Sequence, residues 1–83
     1  MGDMYVTIKP GVVLEGAGAS KEAIVLAHKP ADNFTDVVLC LAANSPYHPY
    51  VVWTYRHDNG QCFHGDYFKT IEEATARYTE REF

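Results

Sequence analysis

Apolar residues in this chain come in short blocks, and the blocks predict strands. Ala23, Ile24, Val25, Leu26 and Ala27 form one apolar run, and Val37, Val38, Leu39, Cys40, Leu41, Ala42 and Ala43 form another. Both have strand length and adjacent β-branched residues, with turn formers on either side. The second run has no polar alternation, which predicts a central strand covered on both faces. For the first, Ser20 could instead cap a helix through Lys21, Glu22 and Ala23. Its length and its flanks favour a strand over 21–28. Residues 4–9 are also rich in β-formers, and 12–15 can return as a short strand after Lys9, Pro10 and Gly11. Proline followed by glycine suits the two central positions of a type II turn, because proline fixes φ and glycine accepts φ > 0. Residues 16–20 read as a hairpin loop, since Lys21 stands where a dinucleotide-binding loop needs its third glycine. Residues 29–36, with Pro30, Asp32 and Asn33, read as a loop. Residues 44–49 contain two prolines and cannot continue a central strand.

The stretch from Tyr50 to Phe68 holds six of the chain's eleven aromatic residues. Asn59 and Gly60 in its middle are a strong hairpin signal. A two-residue turn would pair Tyr55 with His64 and Trp53 with Asp66. A three-residue turn over 58–60, with Gly60 left-handed, pairs Tyr55 with Phe63, Trp53 with Gly65 and Val51 with Tyr67. The second register collects apolar residues on one face, so it is preferred. It puts Val51, Trp53, Tyr55, Phe63 and Tyr67 together, and that face is expected to receive a helix. The opposite face then mixes Tyr50, Val52, Thr54 and Arg56 with Phe68, Asp66, His64 and Cys62.

The helix follows directly. Thr70 and Glu73 have the spacing of a capping box. Glu72 and Glu73 sit at the positive end of the helix dipole, Arg77 and Arg81 near the negative end. Glu73 and Arg77 are spaced to pair, and Ile71, Ala74 and Tyr78 share one face. The whole predicts one α+β domain over residues 1–83: an antiparallel β meander of four to six strands packed by one C-terminal α-helix.

Composition narrows the function classes. Eighty-three residues leave room for one small core. The net charge is −4, and the seven basic residues are scattered along the chain. Nucleic-acid binding normally shows as a basic stripe, so it is not expected. Aromatics on a sheet occur in RNA-binding platforms, but their glycine-aromatic motif with basic flanks is missing. No apolar run is long enough to span a membrane and no signal-peptide pattern opens the chain, so the expectation is a cytoplasmic protein without membrane contact. Cys40 and Cys62 are then expected to be reduced and packed.

Chemistry-bearing residues form no complete catalytic set. His64 and Asp66 lie two apart on a strand and share a face, which could orient a base or begin a metal site. His28, His48, His57 and Cys40 have no recognised ligand spacing around them. Cys62 beside His64 lacks a residue to orient the base and an oxyanion hole. No metal, no cofactor and no enzymatic activity are therefore expected. The better binding candidates are Tyr47, His48 and Tyr50, because tyrosine offers large area with a polar tip and the prolines stiffen the loop. Together with His64 and Asp66 they make the candidate interaction surface. An open sheet edge could also pair two copies into a homodimer.

Tyr50, Val51, Trp53, Gly65, Tyr67, Phe68, Thr70, Glu72, Glu73 and Ala74 together form a pattern. It resembles that of small uncharacterised domains from bacterial phages, plasmids and conjugative elements. The resemblance covers about 35 residues of the C-terminal half and implies no catalytic residues. It implies a small accessory protein that modulates host machinery. The expected function is thus a non-enzymatic protein-interaction module, an inhibitor or regulator that binds a host protein such as a defence complex. The alternative is a small-ligand or metal-binding module using His64 and Asp66.

Overall fold

The computed structural model describes residues 9–15, 22–42, 47–58 and 60–82. The expected strand at 4–9 and the expected loop at 16–20 fall mostly or wholly outside them. Five strands and one helix follow in chain order: β1 (Val13–Glu15), β2 (Glu22–Pro30), β3 (Thr35–Leu41), β4 (Tyr50–Arg56), β5 (Cys62–Phe68) and α1 (Ile71–Glu80). The strands form one antiparallel sheet in sequence order, and α1 packs across β3, β4 and β5. This is the α+β meander that the apolar blocks predict.

The local signals act where they stand. Gly11 has φ +95°, and the Val12 N–H donates to the Lys9 carbonyl at 3.2 Å, closing the turn before β1. Residues 22–28 are strand, continuous with Lys29 and Pro30, and β3 already begins at Thr35, so the loop expected over 29–36 is only 31–34. Pro30 is the last residue of β2, where a missing N–H costs least. The loop that follows is held by Asp32, whose Oδ1 accepts from the Phe34 N–H, the Thr35 N–H and the Thr35 hydroxyl at 2.8–2.9 Å. Those bonds hold the Asp32 carboxyl below its usual range. Every residue of β3 from Thr35 to Cys40 is buried, as expected of a central strand.

The β4–β5 hairpin differs from expectation in an informative way. Gly60 is left-handed at φ +73°, but the loop is four residues, 57–60. The Arg56 N–H donates to the Gln61 carbonyl at 2.9 Å and the Gly60 N–H to the Arg56 carbonyl at 2.8 Å. The longer loop pairs Tyr55 with Cys62 and Thr54 with Phe63, one residue off the preferred register. A β-bulge at Trp53, faced by His64 and Gly65, takes up the difference. Beyond it Val52 faces Asp66 and Val51 faces Tyr67, as the preferred register requires. His64 carries the bulge at φ +57°, a conformation that glycine adopts far more readily.

The sheet buries both faces. On one, Val51, Trp53 and Tyr55 join Val38, Cys40, Val25, Ala23 and Leu14, with Cys62 beside them. On the other, Val37, Leu39 and Val52 meet Ala74, ringed by Tyr50, Phe68, Ile71 and Tyr78. The helix therefore lies on the Val52 face and not on the Trp53 face, correcting the expectation. The predicted helix face itself is right, since Ile71, Ala74 and Tyr78 point to the sheet. Polar anchors hold it there. The Arg81 guanidinium reaches Thr54 and the Val52 carbonyl, and the Lys29 ammonium donates to the Thr79 carbonyl at 3.1 Å. The capping box forms, with the Glu73 N–H donating to the Thr70 Oγ1 and that hydroxyl donating to the Glu73 Oε1, both at 3.2 Å.

Candidate functional site

Where β5 bulges, it opens a cleft against the end of α1. The cleft measures about 410 Å³ and is lined by His64, Gly65, Asp66, Arg77 and Arg81. β5 supplies the first three and the helix end the last two. Arg77 and Arg81 are four apart, so the helix aims both at one place. The Arg77 Nε donates to the Asp66 Oδ2 at 3.0 Å and the Arg81 Nη1 donates to the same oxygen at 3.1 Å. The expected Glu73 partner is replaced: the Arg77 Nη1 turns instead to the Glu80 Oε1 at 3.3 Å. Arg81 is 5% exposed. Its Nη1 also donates to the Val52 carbonyl at 3.0 Å and its Nη2 to the Thr54 hydroxyl at 2.8 Å. Burial lowers the Arg81 pKa and the Asp66 carboxylate opposes that shift. Arg77 is held up by its bonds to Asp66 and Glu80.

His64 and Asp66 thus do share a site, but Asp66 is engaged by two arginines and not by a simple pair with His64. The His64 ring stands edge-on to Phe63, with centroids 5.0 Å apart. Gly65 lies against the Trp53 indole: a Cβ there would sit 2.7 Å from its Nε1. The expected juxtaposition of Trp53 and Gly65 is therefore present.

The other sequence candidates go elsewhere. Tyr47, 79% exposed, and His48 precede the start of β4 and project outward. Tyr50 is half-buried beside the helix, between Leu41 and Phe68 on the neighbouring strands, and offers little free surface. Cys62 packs with the Trp53 layer, and burial pushes both its thiol and that of Cys40 up to about 12. Neither is a thiolate nucleophile at neutral pH.

A second polar cluster has no short-range signature in the sequence. The nearly buried Asp36 carboxylate takes the His28 Nδ1 at 3.0 Å on Oδ2 and the His57 Nε2 at 2.9 Å on Oδ1. This ties β2, β3 and the β4–β5 loop together. Each imidazole gives one nitrogen to a different carboxylate oxygen. Among the described residues no three His, Cys, Asp or Glu side chains gather as a metal-ligating group.

Comparison with protein-family models, curated proteins and solved structures returns no match. Among the described residues, no helix is long and apolar enough to cross a membrane. Sequence reasoning found His64 and Asp66 but not their partners. The i,i+4 spacing of Arg77 and Arg81 was a usable signal that they act together. The Asp36 clamp had none, because its members are 8 and 21 residues apart.

Proposed function

We propose that this chain is a small non-enzymatic protein-interaction module that binds its partner along the β5 edge and the cleft beside it. The observation that carries the reading is β5 itself. It is a seven-residue strand at the end of the sheet order, paired with β4, and much of its side-chain surface is exposed. An edge strand presents backbone donors and acceptors to any strand that can lie beside it. The bulge at His64 and Gly65 interrupts that edge and shortens the pairable stretches. Selectivity then has to come from side chains, and the cleft and the half-exposed Tyr67 lie alongside. The same edge would pair two copies of the chain in a homodimer. The role of such a binder, an inhibitor or regulator that a mobile element directs at a host protein, is supported by the C-terminal pattern described above. The cleft volume favours one second reading, a small-ligand module centred on His64 and Asp66.

The test is capture from a bacterial lysate on immobilised protein, with and without chelator, after light scattering has fixed the oligomeric state. A specific band that survives chelation, persists with Tyr47→Ala and disappears with Tyr67→Lys supports the edge reading. A band lost with Tyr47→Ala and kept with Tyr67→Lys would move the surface to the loop before β4. A folded protein that captures nothing yet binds a small anion saturably would refute the interaction reading in favour of the ligand module.

A further inference from the structure

We propose that the β5 cleft recognises one carboxylate, carried by an acidic side chain of the strand that lies along the edge. This rests on the edge reading above and names the chemistry of its partner. Two guanidiniums and one carboxylate line the cleft, so once the Glu80 carboxylate beside Arg77 is displaced these three groups leave one positive charge, in a chain of net charge −4. Asp66 is engaged from both sides and serves to orient Arg77, its Oδ2 accepting the Arg77 Nε. The Arg77 side chain nonetheless remains 43% exposed.

Its Nη1 meets the Glu80 carboxylate at 3.3 Å, and Glu80 is 67% exposed. Exposed pairs of this kind hold weakly. Glu80 therefore marks a place where a carboxylate sits against Arg77, and an incoming acidic group can displace it at little cost. A planar carboxylate matches the guanidinium fork. A phosphate dianion would bring a second negative charge up against Asp66, which both arginines hold in the cleft. His64, on the strained bulge, lines the same cleft, and bulges re-aim side chains in this way. The bound group is thus a monoanion, held mainly by Arg77.

The experiment uses the full chain, isotope-labelled, with the Arg77 Nε–H and β5 amide resonances followed by NMR. The probes are a blocked pentapeptide with one glutamate between valines and threonines, its glutamine counterpart, and inorganic phosphate. The glutamate peptide should bind about three- to fivefold more tightly than the glutamine peptide, the upper range for an ion pair on a part-exposed guanidinium. Glu80→Gln should tighten it roughly twofold by removing the internal competitor. Arg77→Gln, checked for folding by its melting curve, should abolish the discrimination. Equal affinities for the two peptides, no saturable shift at Arg77, or phosphate binding as tight as the glutamate peptide would each overturn the proposal. The edge reading fails separately. If the glutamate peptide moves Arg77 but not the β5 amides, the carboxylate site stands and the strand pairing falls. If both peptides move the β5 amides equally, the reverse holds.

Discussion

Replacing Gly65 with alanine probes the contact on which the β4–β5 hairpin closes. An ideal Cβ at this position would lie 2.7 Å from the Trp53 Nε1, 3.0 Å from its Cδ1 and 3.0 Å from the Tyr67 Cε1. The Trp53 ring cannot easily give way. Trp53 is buried in the core of its face, and Tyr67 stands edge-on against it with centroids 6.3 Å apart. An added methyl in such a place forces off-rotamer side chains or a backbone shift, at about 1–3 kcal/mol. For a domain of this size each kcal/mol lowers the melting temperature by roughly 4–8 °C, so Gly65→Ala should fall by roughly 5–20 °C. Gly11→Ala is the control. It too is a glycine replaced by alanine, but nothing lies within 4 Å of the new Cβ, and only the φ of +95° is unfavourable. Its cost is one of backbone conformation, about 1 kcal/mol. Urea unfolding followed by far-ultraviolet circular dichroism and by Trp53 emission measures both. The urea slope should not change, because the native fold is kept. A Gly65→Ala protein within about 0.5 kcal/mol of the parent would refute the close packing of Trp53 on β5.

Four further outcomes follow from the same contacts. His64→Gly should stabilise the protein by about 1 kcal/mol, because glycine accepts the left-handed bulge position that histidine holds under strain; chemical denaturation reads this directly. Arg81→Ala should cost about 2–4 kcal/mol, since the Thr54 hydroxyl and the Val52 carbonyl lose their partner in the interior; a urea midpoint close to the parent's would contradict it. Cys40 and Cys62, raised from 9.0 to about 12, should resist thiol reagents at neutral pH until the chain unfolds. Because their folded values lie above the unfolded one, their contribution to stability is complete below about pH 9 and declines as pH rises towards 12, which alkaline melting curves will show. Asp32 has the opposite sign: its folded value is lowered from 3.8, so its contribution is present above that pH and lost as pH falls through the folded value. Asp32→Asn should flatten that acid limb.

Short-range rules act within a few residues, and their products were legible in the chain. Pro10 and Gly11 make their turn, Thr70 and Glu73 cap their helix, and Asn59 and Gly60 mark a hairpin, because each needs only local backbone geometry. The apolar block of β3 announced a strand covered on both faces for the same reason, since burial leaves its record in every residue of the run. Tertiary packing decided the rest. Alternation along β4 separates two faces but cannot say which one receives the helix, because Val51 through Tyr55 are buried on both. The helix takes the face where Ala74 meets Val37, Leu39 and Val52 and where the buried Arg81 guanidinium reaches the Thr54 hydroxyl and the Val52 carbonyl. The extra loop residue after Arg56 and the compensating bulge at His64 are a second such case. Near the loop the strands pair in one register, beyond Trp53 they pair in another, and the bulge at His64 and Gly65 joins the two. The Asp36 clamp and the β5 cleft arise likewise from residues far apart in sequence. Their encounter depends on strand register and helix placement, which long-range packing sets and which no local window contains.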